Sequence, residues 1–201
     1  METALVIAVL FFSIILHEVS HGVVAYWNGD PTARNAGRLT LNPLPHVDPL
    51  GTVVLPALLA LTHAGVLLGW AKPVPFNPIN FRNRAVGTFT VGVAGPVTNL
   101  VLAALFALAL RAVGNVNLLS PLLYYGASIN VFLAVFNMIP IPPLDGSRAV
   151  YVFLPRGARR VYASLERWGF AIIIVLLYLG VLGRIVLPVH SAIFRFLMGA
   201  P

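Results

Sequence analysis

Two histidines and a glutamate, His17, Glu18 and His21, stand close together in the stretch "SIILHEVSHGVVAYW". On a helix, residues four apart lie on one face, one turn above the other, so both imidazoles can reach the same metal ion. Glu18 lies about 100° round the helix, where it can contact a water on that ion without binding the ion itself. The pattern predicts a zinc site with an adjacent acid/base. The alternative is two buried histidines bonded to the backbone.

The composition places this motif in a membrane protein. Of 201 residues, 59% are hydrophobic and only 9% are charged, which lies outside the usual range of soluble proteins. The absence of cysteine excludes disulfides and thiolate ligands, so a metal must be held by His, Asp or Glu. The net charge of +7 does not indicate nucleic-acid binding, because the basic residues fall between apolar segments, where they set membrane orientation.

A third ligand is expected because catalytic zinc sites typically use three protein ligands and a water. Asp145, in "FNMIPIPPLDGSRAV", follows a run of prolines that breaks an apolar helix, and Gly146 allows a sharp turn after it. Its alternative role is to cap a helix that starts near Ser147. Zinc with two neutral imidazoles and one carboxylate carries a charge of +1, which an ionised Glu18 would neutralise.

The elements that must position these residues are transmembrane helices. Four apolar stretches are long enough to cross a bilayer, which takes roughly 20 helical residues. They are Thr3 to Trp27, Val86 to Val113, Leu118 to Ile139 and Trp168 to Leu187. The fold class is therefore an all-α polytopic membrane protein with a single membrane-embedded domain over residues 1–201. Its core is expected at 5–150, followed by a C-terminal helix and tail at 156–201.

A fifth apolar stretch, Thr52 to Trp70, decides the topology. It is interrupted by Pro56, His63 and Gly65, and we predict that it is re-entrant or interfacial. In that arrangement His17, His21 and Asp145 lie at one face of the membrane. Ten of the 13 basic residues share this face, which the positive-inside bias makes cytoplasmic. The ten are Arg34, Arg38, Lys72, Arg82, Arg84, Arg148, Arg156, Arg159, Arg160 and Arg167.

Two smaller elements are also predicted. The connection Asn28 to Gly51 is rich in turn residues around one short β element, Arg38 to Leu41, which is a candidate edge for pairing with an extended peptide. The apolar tail Val189 to Met198 is expected to form an interfacial helix.

Three blocks, in this order, resemble the site-2 protease family of intramembrane zinc metalloproteases. They are "HEVSH", "GVAGPVTN" (Gly92 to Asn99) and "NMIPIPPLDG" (Asn137 to Gly146). The segments "NPLPHVDPLGT" and "GWAKPVPFNP" are similar to a compact prokaryotic branch. No inserted peptide-binding or nucleotide-sensing domain is expected.

The resemblance implies a site, a substrate and a location. It implies one Zn²⁺ per chain, with Glu18 as the catalytic acid/base, and a multi-pass protein of the cell membrane whose substrate is a transmembrane protein or peptide. The metal ligands it implies are His17, His21 and Asp145. The substrate-seating residues it implies are Asn137, Pro140 and Pro142.

Several alternatives stay open on the sequence. The chain could instead be a membrane zinc transporter or a metal-binding scaffold, although no second copy of the motif is present. Asn99 reaches the site or only packs, and Asn137 binds substrate or another helix. His46 is an accessory ligand or a histidine held by turn chemistry, and the role of Asp48 beside it stays open too. The oligomeric state and the substrate's identity are not predicted.

Overall fold

The computed structural model describes residues 2–54, 57–58, 61, 71–114 and 119–199, and in these ranges all regular structure is helical. Helices α1 to α8 are Glu2–Trp27, Thr32–Asn35, Arg84–Val113, Ser120–Asn137, Asp145–Tyr151, Arg156–Ser164, Glu166–Tyr178 and Val181–Met198. Short 3₁₀ turns at Leu44–His46 and Pro78–Asn80 and a π-helical turn at Pro49–Val54 lie between α2 and α3.

Three of the described helices are long and apolar enough to cross a membrane: Leu5–Trp27, Arg84–Val113 and Val181–Met198. The pair α6 and α7, bent by 66°, would make a fourth if it counts as one span. The protein is thus multi-pass, and the predicted number of four spans remains a prediction.

The predicted stretch Trp168 to Leu187 is wrong as a single helix. Helix α7 ends at Tyr178 and α8 begins at Val181, with Gly180 between them in the left-handed conformation at φ 68°. Glycine adopts this conformation without the steric cost that a Cβ would bring, so the chain can turn within an apolar run. The residues predicted as a separate interfacial tail form the second half of α8.

Helix α3 lies at the centre of the bundle and packs against α1, α4, α5 and α8. The Asn83 side chain caps its start by accepting hydrogen bonds from the backbone N–H groups of Ala85 and Val86. Its buried face is made mostly of small residues, which allow close helix approach. They include Gly87, Gly92, Ala94, Gly95, Ala103 and Ala107.

The predicted β element at Arg38 to Leu41 is wrong, because its backbone groups are used in turns instead of a ladder. The Arg38 N–H donates to the Ala33 carbonyl at 2.9 Å, and the Thr40 carbonyl accepts from the His46 ring at 2.9 Å. The predicted re-entrant stretch Thr52 to Trp70 lies mostly outside the described residues.

Candidate metal centre

Three polar atoms from distant parts of the chain converge between α1, α3 and α5. His17 Nε2 lies 3.1 Å from His21 Nε2, and Asp145 Oδ2 lies 3.0 Å from the first and 3.1 Å from the second. All three residues are buried. The structure therefore brings together the three predicted ligands, of which Asp145 is 124 residues away from His21.

The second nitrogen of each imidazole lies against an acceptor oxygen. His21 Nδ1 lies 2.7 Å from the Val91 carbonyl oxygen, and His17 Nδ1 lies 2.5 Å from Asn99 Oδ1. Each Nδ1 must therefore carry the proton, so in the neutral rings each Nε2 presents a lone pair. Two lone pairs and a carboxylate oxygen face one another.

This arrangement fits a zinc ion. Zinc binds imidazole nitrogen at about 2.0–2.1 Å, so two ligand atoms of a tetrahedral site lie about 3.3 Å apart. The observed separations of 3.0 to 3.1 Å are close to that value. Without a metal ion, an imidazole would have to take a proton and pair with the Asp145 carboxylate, because three lone pairs repel one another at these distances. Two histidines and one aspartate also leave a fourth position for water, as catalytic zinc sites do.

Two glycines make the close approach possible. A Cβ on Gly95 of α3 would lie 2.4 Å from Cε1 of the His17 ring, so the imidazole occupies space that any other residue would fill. A Cβ on Gly146 would lie 2.2 Å from the Met138 carbonyl oxygen. The absence of a side chain at Gly146 therefore lets the loop before α5 fold back on α4. Both glycines fall in the blocks that carry the family resemblance.

Asp145 does not cap a helix. It is the first residue of α5, and Leu144 occupies the cap position, where no side-chain hydrogen bond is made. Its second oxygen, Oδ1, accepts from Arg148 Nη1 at 3.3 Å, and the Arg148 guanidinium stacks over the Phe76 ring. The carboxylate is therefore held at both oxygens and points toward the histidines.

Glu18 is half-buried beside the three atoms. Its Oε2 accepts a hydrogen bond of 2.8 Å from the backbone N–H of Val74. Val74 belongs to an irregular segment, residues 71–77, that Arg38 anchors by donating to the carbonyls of Lys72 at 2.6 Å and Pro73 at 3.3 Å. The backbone thus fixes one carboxylate oxygen of Glu18.

The three residues predicted to seat the substrate are placed differently from one another. Pro142 is buried and lines a cavity of about 580 Å³ between segment 71–77, α5 and α6. The Pro140 carbonyl accepts from the Tyr162 hydroxyl at 2.5 Å. Asn137 donates to the Leu133 carbonyl of its own helix at 2.9 Å, so its amide nitrogen is bonded within α4.

His46 and Asp48 make turn contacts. His46 is fully buried, with Nε2 bonded to the Thr40 carbonyl, and Asp48 Oδ1 accepts from the N–H groups of Leu50 and Gly51. These contacts support the turn interpretation over an accessory-ligand role.

The buried Asn130 was not among the residues predicted from the sequence. Its signal in the sequence is a polar amide inside an apolar helix.

Comparison with known proteins agrees with this geometry. The model of peptidase family M50 matches residues 112–180, which contain Asp145. The inferred zinc metalloprotease YwhC of Bacillus subtilis (strain 168) is 37% identical over 176 residues, covering 83% of this chain and 77% of its own. The chain belongs to peptidase family M50.

Other relatives carry the same kind of name. The inferred zinc metalloprotease Rip2 of Mycolicibacterium smegmatis is 34% identical over 183 residues, covering 90% of this chain and 69% of its own. Zinc metalloprotease MJ0392 of Methanocaldococcus jannaschii is 23% identical over 196 residues, covering 96% of this chain and 48% of its own. No solved structure matches the chain. Membership of M50 confirms the predicted family resemblance and identifies the chain as a metalloprotease.

Proposed function

We propose that this M50 protein is an intramembrane zinc endopeptidase that cuts transmembrane proteins in or near their membrane segments. The observation that carries the proposal is the triangle of His17 Nε2, His21 Nε2 and Asp145 Oδ2, with both imidazole lone pairs directed inward. One zinc ion per chain would be held there. No observation on the described residues or the relatives favours a transporter.

Each group has a role in hydrolysis. Zinc, when bound, activates a water and polarises the peptide carbonyl. Glu18 takes the proton of that water and delivers it to the leaving amine. The Val74 N–H holds Oε2, so Oε1 is the oxygen left to exchange the proton.

The cavity of about 580 Å³ beside Pro142 is the proposed seat of the substrate backbone. Its walls are mostly prolines and aromatic rings, which offer apolar surface and few N–H groups to compete with a peptide. A transmembrane helix must unwind to enter, because its carbonyls are otherwise held in helical hydrogen bonds. Asn137, the last residue of α4, and Pro140, in the loop that follows it, would help to seat the peptide there.

Orientation and extent complete the proposal. The ten basic residues expected on one side support an orientation in which the site lies toward the cytoplasmic face of the cell membrane. Residues 1–201 are proposed to act as one membrane-embedded domain.

Glu18→Gln tests the function. We expect zinc content equal to wild type by elemental analysis, with cleavage reduced by about 10²–10⁴-fold, the usual contribution of a general acid/base. The readout is membrane proteomics of cells that make either form, in which intact membrane stubs accumulate only with the variant. Asp48→Asn is the matched control, since Asn keeps an acceptor oxygen for the turn. Equal processing by wild type and Glu18→Gln would reject the protease assignment.

A further inference from the structure

A line of buried polar side chains connects His17 through α3 to α4. His17 Nδ1 lies 2.5 Å from Asn99 Oδ1 in α3, and Asn99 Nδ2 donates to Asn130 Oδ1 in α4 at 2.8 Å. Asn130 Nδ2 then donates to the Gly126 carbonyl and to Ser13 Oγ, each at 2.8 Å. Asn99 and Asn130 are both 0% exposed. Every amide group in this line has a partner, as burial among apolar helices requires.

The Gly126 carbonyl gives the line its direction. A carbonyl oxygen only accepts, so Asn130 must present its NH₂ group to Gly126 and its oxygen to Asn99. Asn99 must then present its NH₂ group to Asn130 and its oxygen to His17. His17 can bond to that oxygen only as an Nδ1–H donor. The ring is thereby fixed in the tautomer whose Nε2 carries a lone pair.

The two histidines differ in how this tautomer is secured. His21 Nδ1 bonds directly to the Val91 backbone carbonyl, which has no alternative orientation. His17 Nδ1 bonds to a side-chain amide, which can rotate by 180° and offer NH₂ in place of oxygen. A rotated Asn99 would select the opposite tautomer and direct an N–H toward the metal position. Only His17 therefore needs a second residue to hold its partner.

We propose that Asn130 is a positioning residue for the metal centre, which it influences through Asn99 without contacting it. Helix α4 supplies none of the three metal-binding atoms, yet it fixes the protonation pattern of His17. The inference rests on the proposed zinc site and adds a residue to it. Partners behind a metal-binding histidine typically change metal affinity by 10–100-fold when they are lost.

Asn130→Leu is the central variant. It removes the lock on Asn99 while keeping a side chain of similar size, and we expect the zinc dissociation constant to rise about 10–100-fold in chelator competition. In the metal-free protein, the ¹⁵N NMR shifts of the His17 ring should show the Nε2–H tautomer appearing. The His21 signals should not change.

Ser13→Ala is the matched control. It removes the other partner of Asn130 Nδ2 but leaves the Gly126 carbonyl that sets the direction. We expect wild-type zinc affinity and an unchanged His17 tautomer. A loss of affinity equal to that of Asn130→Leu would mean that burial or packing, not amide direction, is responsible.

A rescue separates direction from packing. In the double variant Asn130→Leu/Asn99→Asp, the carboxylate accepts from His17 Nδ1–H in either orientation, so zinc affinity should recover at least tenfold over Asn130→Leu. No recovery, or an unchanged affinity in Asn130→Leu, would overturn the proposal. If circular dichroism shows that Asn130→Leu does not fold, the zinc affinities of Asn99→Leu and Asn99→Asp are compared instead. Asn99→Asp should then bind zinc at least tenfold more tightly than Asn99→Leu. If wild type itself binds no zinc, the proposed function fails instead.

Discussion

Two aspartates, Asp30 and Asp145, are almost completely buried, at 0% and 5% exposure, and their neighbours are of opposite kinds. Asp30 is surrounded by donors. Its Oδ1 accepts from the Thr32 hydroxyl at 2.5 Å and from Asn80 Nδ2 at 2.7 Å, and its Oδ2 accepts from the Asn77 N–H at 2.6 Å. Asp145 faces two imidazole nitrogens that carry lone pairs.

The comparison shows that burial of a carboxylate does not by itself indicate function. A buried negative charge needs compensation, either from N–H and O–H donors or from a cation. Asp30 is compensated by the chain itself and joins the turn after α1 to the segment before α3. Asp145 has Arg148 on one oxygen and needs a cation on the other. The kind of neighbour distinguishes a structural aspartate from a metal-binding one.

Asp145→Asn should give the largest effect. The variant removes the anionic ligand, so we expect zinc affinity to fall by more than the ~100-fold that loss of an outer partner costs. Cleavage should fall below detection in the proteomic comparison. The metal-free variant should still fold, because the amide removes a buried charge that lacks full compensation without the metal.

Zinc binding by Asp145→Asn that is as tight as in wild type would contradict the metal-binding role assigned to Asp145. Unfolding of the metal-free variant would also contradict it, since that would give Asp145 the structural role assigned to Asp30.

Asp30→Asn should lower the stability of the protein and leave its zinc affinity nearly unchanged. The amide puts NH₂ where Asp30 accepts from a donor, and hydrogen bonds to charged groups contribute about 1.5–3 kcal/mol each, so we expect a loss of about 2–4 kcal/mol. Unfolding in mixed micelles measures it. The folded fraction should bind zinc within about threefold of wild type, well inside the 10–100-fold range of outer-partner effects. Weak zinc binding at unchanged stability would contradict the structural role.

The smallest expected effect is the pH dependence of the stability that Asp30 contributes. Acid should remove this contribution only at low pH. Burial raises the pKa of Asp30, but hydrogen bonds from Thr32, Asn80 and the Asn77 backbone outweigh burial and lower the pKa below 3.8. A lowered pKa in the folded state stabilises the protein above the pKa of the unfolded chain, and this contribution is lost as pH falls through the folded value. The stability difference between wild type and Asp30→Asn should be constant above about pH 5 and shrink below 3.8. A difference that grows as pH falls toward 5 would mean that the folded pKa is raised.

The candidate metal centre was largely predictable because its residues stand in recognisable local sequence patterns. The four-residue spacing of His17 and His21 requires only a helix, and Asp145 was marked by the prolines before it and by Gly146 after it. Membership of the family confirms the resemblance that these blocks carry.

What the sequence did not predict depends on contacts between distant residues. The structural role of Asp30 could not be predicted, because its partners Asn77 and Asn80 lie 47 and 50 residues away in the sequence. Arg38 to Leu41 has a strand-like pattern, but its backbone closes turns. The break at Gly180 was hidden because apolar residues continue on both sides of it. A local pattern does not show which backbone groups a distant segment will occupy.

The close contact of Gly95 with His17 has a mechanical consequence. The imidazole ring lies where a side chain of α3 would begin, so sliding α1 along α3 would drive the ring into a neighbouring residue that has a Cβ. The hydrogen bonds of His17 to Asn99 and of His21 to the Val91 carbonyl join the same two helices, so together these contacts should clamp α1 and α3 in one register. Any opening that admits a substrate would have to come from the elements around the clamp, such as segment 71–77 and α6, whose residues form the walls of the cavity.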